Sequence, residues 1–107
     1  MINPKLIALL PDLASFILVV NEGSFTAAAK QLGVTPSALS KLITRLEKAL
    51  SVKLFERTTR TLIITQAGQL VYDQSVVMIN AAQQAGELAT ADHTDPAGSI
   101  TVAAPEA

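Results

Sequence analysis

Short polar and basic side chains recur at helical spacing before the middle of the sequence. They would lie on one face of a helix that begins near Pro36, and they are Ser37, Ser40, Lys41, Thr44 and Lys48. Such a face offers hydroxyl groups and amines to a polyanion, and the first turn of a helix adds unpaired backbone N–H groups. A solvated helix surface has the same composition, so the pattern alone leaves both interpretations open.

The residue inventory gives little support to catalysis. The 107 residues include no cysteine and a single histidine, His93. Thiol chemistry, disulfides and cysteine zinc sites are therefore excluded, and no Gly-rich phosphate loop is present. We expect a protein that is not an enzyme and that carries no metal or cofactor in this segment.

Charge is divided unevenly along the chain. The net charge is −1, yet residues 30–60 hold seven basic side chains and only two acidic ones. Residues 61–107 hold five acidic side chains and no Lys or Arg. A local excess of this kind is informative where the total is not, and it favours a polyanion site in the basic stretch.

Three predicted helices would position the polar face. The first is expected to begin at Asp12, after Pro11, and to end at Gly23. The second begins after Ser24 and ends at Gly33, and the third runs from Pro36, behind the cap Thr35, to about Leu50. Their apolar stripes recur at spacings of three and four, and the third comprises Leu39, Leu42, Ile43, Leu46 and Leu50.

The spacing of the apolar residues changes after the third helix. Two short β-prone runs, near residues 52–55 and 62–65, flank a tip rich in Thr and Arg, which predicts a small hairpin. A fourth helix from Gln66 to about Ala89 carries an apolar stripe longer than a small core needs, which favours pairing with a second helix. The stripe comprises Leu70, Val77, Ala81 and Leu88.

The predicted organisation is mainly α, with four segments. Residues 1–65 form a winged helix-turn-helix of three helices plus a small β-hairpin wing, and residues 66–90 form a long dimerisation or linker helix. Residues 91–98 form an interdomain linker, and residues 99–107 hold the first strand of a truncated further domain. The apolar run 6–20 is interrupted by Pro11 and Asp12 and is too short to span a bilayer, so we expect a cytoplasmic chain without a membrane partner.

The stretch from Phe16 to Gly68 resembles the DNA-binding domain of LysR-type transcriptional regulators. The motifs that carry the resemblance are GSFTAAAKQL, TPSALSKLITRLEKAL, LFERTTR and TQAG, in the order and spacing of that family. The later run ITVAAP resembles the start of the family's effector-binding domain.

The resemblance implies a role for each matched position. Pro36, Ser37, Ser40 and Lys41 match positions that meet the major groove of double-stranded DNA, although Lys41 is often Arg in the family. Arg60 matches a wing residue that enters the minor groove, and Arg57 matches a backbone-contacting or structural Arg. Three further positions lie near phosphates in the family, and they are Ser24, Thr26 and Thr35.

The family also implies partners. The helix that carries Leu70, Val77, Ala81 and Leu88 resembles the linker helix that pairs antiparallel with its copy in a homodimer. Family members usually recognise imperfect inverted repeats, the full-length proteins can form tetramers, and a small-molecule effector is expected for the C-terminal domain. Two alternatives stay open: a molybdate-responsive type of winged-helix regulator, and a winged helix that binds protein rather than DNA.

Overall fold

The computed structural model describes residues 3–58 and 61–94, with side chains to residue 91. The chain divides into two compact units, one ending at Val76 and one beginning at Val77. The elements are α1 (Pro4–Glu22), α2 (Phe25–Leu32), α3 (Pro36–Leu50), β1 (Phe55–Arg57), β2 (Leu62–Ile64) and α4 (Gln66–Thr94). The predicted winged helix-turn-helix and the long helix after it are confirmed.

Helix α1 begins eight residues earlier than the sequence analysis predicts. Asn3 is its N-cap and accepts a hydrogen bond from the backbone N–H of Lys5 at 2.9 Å, while Pro4 occupies the first helical turn. Pro11 lies inside the helix, and Asp12 is therefore not a cap. An internal proline removes the hydrogen bond to the carbonyl four residues earlier, here Ile7, which is 52% exposed and can be solvated by water.

Helix α2 begins and ends, and α3 begins, where the capping residues predict. The side-chain hydroxyl of Ser24 accepts the N–H of Ala27 at 3.2 Å, and Thr35 accepts that of Ala38 at 3.0 Å. Gly33 ends α2 in the left-handed conformation, at φ 71°, which glycine adopts without a Cβ penalty. These caps fix a short turn between the two helices.

The hairpin of β1 and β2 is antiparallel. Phe55 pairs with Ile64, and Arg57 pairs with Leu62. Beyond the strands, the N–H of Thr58 donates to the carbonyl of Thr61 at 3.0 Å, and the N–H of Thr61 donates to the hydroxyl of Thr58 at 2.9 Å. The two threonines therefore hold the chain together at the end of the wing.

The start of α4 is joined tightly to the wing. Thr65 caps the helix, because its hydroxyl accepts the N–H of Gly68 at 2.9 Å, and its own N–H donates to the carbonyl of Leu54 at 3.0 Å. The helix continues to Thr94, which is five residues beyond the predicted end and inside the predicted linker, residues 91–98. The remainder of that linker and the predicted strand of residues 99–107 lie outside the described residues.

The core of the first unit lies where α1, α3 and the wing meet. Phe16 packs edge-to-face against Phe55, with ring centroids 5.4 Å apart, and against Tyr72 at 6.5 Å. The fully buried side chains around it are those of Val19, Leu39, Ile43, Leu46 and Leu54. Burial of this apolar surface is the main term that stabilises the fold.

Helix α1 runs through Pro11 and Asp12, so these residues do not interrupt the apolar run 6–20 as the sequence predicts. Pro4–Glu22 has 19 residues with a mean hydropathy of 1.5 over its apolar window, so by length and composition alone it could cross a membrane. Its second half supplies Phe16 and Val19 to the core, and both are 0% exposed. The second half of α1 is therefore part of the core, whereas Leu6, Ile7 and Leu10 in its first half are exposed.

Candidate nucleic-acid interface

Helix α3 has two chemically different faces. Leu39, Ile43 and Leu46 are buried on the inner face. The outer side chains of Ser37, Lys41, Thr44 and Lys48 are exposed, as is Pro36 in the first turn. The polar face predicted from spacing is therefore a real surface of the first unit. It combines hydroxyl groups and amines and contains no large apolar side chain.

A shallow depression lies along this surface. It has a volume of about 310 Å³, and it is lined by Ser40, Lys41, Thr44, Arg45 and Lys48. Three of these five residues are cations and two carry hydroxyl groups, and none is acidic. Such a set can accommodate phosphate oxygens with both charge and hydrogen bonds.

Arg57 ties the wing to α3. Its Nη1 group donates to the hydroxyl oxygen of Ser40 at 2.8 Å, and its Nη2 group lies 3.9 Å from the carboxylate of Glu47. The guanidinium also lies over the ring of Phe25, 4.8 Å from its centroid. Arg57 thus positions the wing relative to α3. Its guanidinium also occupies one lone pair of the Ser40 hydroxyl, which is half-buried.

The remaining residues predicted near DNA lie in different settings. The hydroxyl oxygens of Ser24 and Thr35 accept the capping hydrogen bonds of α2 and α3. Thr26 is exposed in the first turn of α2. Arg60 lies outside the described residues, so its predicted place at the minor groove stays a prediction.

Asp12 and Arg45 form an ion pair that the sequence analysis missed. The Nη2 group of Arg45 lies 3.1 Å from both carboxylate oxygens of Asp12, and its Nε group lies 3.3 Å from Oδ2. The acidic side chain is 10% exposed and the basic one 67%. The carboxylate comes from α1, 33 positions away in the sequence, so the pair joins α1 to α3.

Glu47 joins α3 to the first strand of the wing. Its carboxylate accepts the backbone N–H of Leu54 at 2.7 Å and that of Phe55 at 3.3 Å. Both residues are buried, so their donors need a partner within the protein. Together with Arg57, this carboxylate fixes the wing relative to the exposed face of α3.

The predicted dimerisation stripe is largely exposed. Leu70 in the first unit is 64% exposed, and in the second unit Val77 is 61% and Leu88 is 73% exposed. Ala81 is also exposed. Within the described part of the chain, no group of three or more His, Asp or Glu side chains is placed to hold a metal ion.

Comparison with known proteins identifies the family. The model of the lysR family of bacterial regulatory helix-turn-helix proteins matches residues 10–69. The chain belongs to the LysR family. The match covers α1 from Leu10, the helix-turn-helix, the wing and the first turn of α4.

Relatives in the LysR family are named as transcriptional regulators. The chain is 44% identical over 99 residues to the probable HTH-type transcriptional regulator LtrA of Klebsiella pneumoniae, which is 92% of this chain and 32% of that protein. It is 37% identical over 93 residues to the transcriptional activator AaeR of Escherichia coli, which is 87% of this chain and 30% of that protein. The chain thus spans about a third of the length of these relatives.

Solved structures share the fold. The complex of BenM DBD with benA site 1 DNA matches with a TM-score of 0.74 and 30% identity, over 80% of this chain and 97% of that one. Full-length CbnR complexed with its target DNA matches with a TM-score of 0.69 and 30% identity, over 78% of this chain and 29% of that one. Winged helix-turn-helix domains of LysR regulators are therefore the structural neighbours of this chain.

Proposed function

We propose that the chain is the sequence-specific DNA-binding part of a LysR-type transcriptional regulator. The observation that carries the proposal is the outer face of α3, where Ser37, Lys41, Thr44 and Lys48 are exposed while the opposite face is buried. Two of the structural neighbours are complexes with DNA, which supports the same conclusion. The exposed face has no apolar patch of the kind that a protein-binding helix needs.

In the proposed mechanism α3 enters the major groove, which is wide enough for one helix. Pro36 and the short side chain of Ser37 allow the start of α3 to approach base edges closely. Lys41 lies one turn further and reaches a guanine or a phosphate. Ser40 contacts the groove with its orientation fixed by Arg57, and Arg60 in the wing contacts the adjacent minor groove.

Three residues act near the DNA backbone in this proposal. Ser24 and Thr35 place the N-termini of α2 and α3, whose partial positive charge attracts phosphates. Thr26 is exposed in the first turn of α2 and offers a hydroxyl donor to the same backbone. Phosphate contacts of this kind contribute affinity and register but carry no sequence information.

The proposed regulator is a homodimer. The exposed apolar stripe of Leu70, Val77, Ala81 and Leu88 on α4 would be covered by the same helix of a second copy. Two recognition helices would then read an inverted repeat in successive major grooves. The full-length protein would be cytoplasmic and not bound to a membrane, would bind a small-molecule effector through a further domain, and could assemble as a tetramer.

Selection from a random duplex library tests the proposal directly. The chain is expected to enrich an inverted repeat, and fluorescence anisotropy should show tighter binding to that duplex than to a scrambled one. Affinity should fall steeply with salt, because bound phosphates release counterions. Lys41→Ala should weaken binding by about tenfold, whereas Lys5→Ala, outside the family match, should change it little.

Failure of the selection has a definite meaning. If no sequence is enriched and no duplex binds even at low salt, the DNA-binding proposal is wrong and the protein-binding alternative is favoured. If Lys41→Ala lowers the melting temperature and leaves DNA affinity unchanged, Lys41 is a structural residue rather than a contact.

A further inference from the structure

We propose that Arg45 is a phosphate-contacting residue and that the buried carboxylate of Asp12 positions its guanidinium for that contact. This inference rests on the proposed DNA-binding function and extends it to a residue pair outside the matched recognition positions. Asp12 acts only through Arg45 and is therefore a positioning residue.

The geometry of the pair leaves part of the guanidinium available. A guanidinium carries five N–H donors in a planar fork. The contacts with Asp12 use the Nε and Nη2 groups, at 3.1–3.3 Å. The Nη1 group makes no hydrogen bond to any residue that the structure describes, so two donors remain for an external acceptor.

The asymmetric burial of the pair favours an outward role for Arg45. The Asp12 side chain is 10% exposed, whereas the Arg45 side chain is 67% exposed. A carboxylate held below the surface restrains one edge of the guanidinium and leaves the other edge in solvent. Restraint before binding reduces the side-chain entropy that is lost when a flexible arginine forms a contact.

The neighbours of Arg45 are those of an anion site. It lines the same depression as Lys41 and Lys48, together with the hydroxyl-bearing Ser40 and Thr44. Thr44 donates its hydroxyl hydrogen to the Ser40 carbonyl at 3.0 Å, so its oxygen is available only as an acceptor. The cations therefore supply most of the donors, and Arg45 is the one whose orientation is fixed by an ion pair.

A simpler account is that the pair only ties α1 to α3. That account predicts that loss of Arg45 lowers stability but leaves the salt dependence of DNA binding unchanged. Our proposal predicts a change in the salt dependence itself, because a phosphate contact made by a cation releases about 0.9 counterion.

The first measurement compares Arg45→Gln with the matched charge loss Lys5→Gln. Anisotropy titrations with the selected duplex and a scrambled duplex are run across a salt series, at a temperature where circular dichroism shows each variant folded. Arg45→Gln should weaken binding to both duplexes by about three- to tenfold and lower the salt slope by about 0.9. Lys5→Gln should leave the slope within error.

The second measurement tests the positioning role of Asp12 by the direction in which DNA affinity changes. Asp12→Asn removes a negative charge and so makes the domain more positive, which by simple electrostatics should tighten DNA binding. If the carboxylate positions Arg45, the affinity should instead fall by about threefold. Arg45→Lys, which keeps the charge but cannot form the same planar fork, should also weaken binding and provides the test if Asp12→Asn does not fold.

The outcomes separate this inference from the proposed function. If the wild-type chain binds no DNA, the proposed function itself fails. If the wild-type chain binds and Lys41→Ala weakens it, but Arg45→Gln leaves affinity and salt slope unchanged, only the role of Arg45 is refuted. If Asp12→Asn or Arg45→Lys binds as tightly as the wild type or tighter, the positioning role of Asp12 is refuted.

Discussion

Replacement of Gly68 by alanine should lower the stability of the fold, because the clash of a Cβ at this position outweighs the higher helix propensity of alanine. Gly68 lies in the first turn of α4, where a Cβ would meet the carbonyl oxygen of Leu54 at 2.3 Å and the Cγ1 atom of Ile64 at 2.8 Å. Ordinary contacts begin near 3.4 Å, so the chain around Leu54 must move by about 1 Å. That carbonyl also accepts the N–H of Thr65, and the movement disturbs this hydrogen bond.

The expected magnitude follows from two opposing effects. Alanine is favoured over glycine in a helix by about 1 kcal/mol. Overpacking against a backbone atom costs about 1–3 kcal/mol, and a disturbed hydrogen bond adds about 1 kcal/mol. We therefore expect Gly68→Ala to lower the free energy of unfolding by about 1–3 kcal/mol, which lowers the melting temperature by at least about 4 °C.

Gly86 provides the matched control on the same helix. Apart from its chain neighbours and the backbone of its own helix, no atom of the described residues lies within 4 Å of a Cβ built at Gly86. Gly86→Ala should therefore gain helix propensity without a clash and stabilise helical structure by about 0.5–1 kcal/mol. Both variants are compared by thermal unfolding at 222 nm, with urea titration as a check. If Gly68→Ala proves as stable as Gly86→Ala, the close approach between α4 and the wing does not constrain this position.

Three further changes test the wing and the stripe. Glu47→Ala leaves the N–H groups of Leu54 and Phe55 without their acceptor and should lower the free energy of unfolding in urea by about 2–4 kcal/mol. The control Glu56→Ala, at an exposed position, should lower it by less than about 0.5 kcal/mol. Equal effects of the two changes would contradict the anchoring role of Glu47. Arg57→Lys keeps the charge but cannot contact Ser40 and Glu47 at once as the planar guanidinium does, and it should lower the melting temperature by about 4–8 °C. An unchanged melting temperature would show that Arg57 does not tie the wing to α3. Val77→Asp combined with Leu88→Asp should halve the mass in analytical ultracentrifugation, whereas Gln84→Asp should not; an unchanged mass would mean that α4 is not the interface.

Local chemistry made the helix-turn-helix predictable. Ser24, Thr35 and Gly33 act on the two or three residues next to them, so their positions define both ends of α2 and the start of α3 without knowledge of the tertiary structure. The wing was predictable for a similar reason, because the period of the apolar residues changes from helical to alternating. The polar face of α3 followed from the same periodicity.

The start of α1 was mispredicted because two local signals, at Asn3 and at Pro11, compete for it. Asn3 and Pro4 form the same cap and first-turn pattern as Thr35 and Pro36, but the later Pro11 was given more weight as a helix breaker. A proline inside a helix is tolerated where the carbonyl that loses its partner is accessible to water. The end of α4 was misplaced because Asp92 and His93 suit a helix end as well as a linker.

Contacts between distant segments could not be predicted from one sequence. The partner of Arg45 is 33 positions away and that of Tyr72 is 51 positions away, at Asn21. Neither separation follows from a helical or strand period, because tertiary packing alone brings these residues together. The role of Arg57 at Ser40 was hidden for the same reason.

In α3 the residues that support the fold are different from those that face solvent, so the solvent-facing residues can change while the fold is kept. Ile43 and Glu47 support the fold and face inward or toward the wing, while the side chains of Ser37 and Lys41 are exposed to solvent. Substitutions at those outward positions should therefore cost little stability, and under the proposed function they would change operator preference without loss of the scaffold. Ser40 is the exception, because a change there also removes the hydroxyl that accepts from Arg57 and so alters a contact between α3 and the wing.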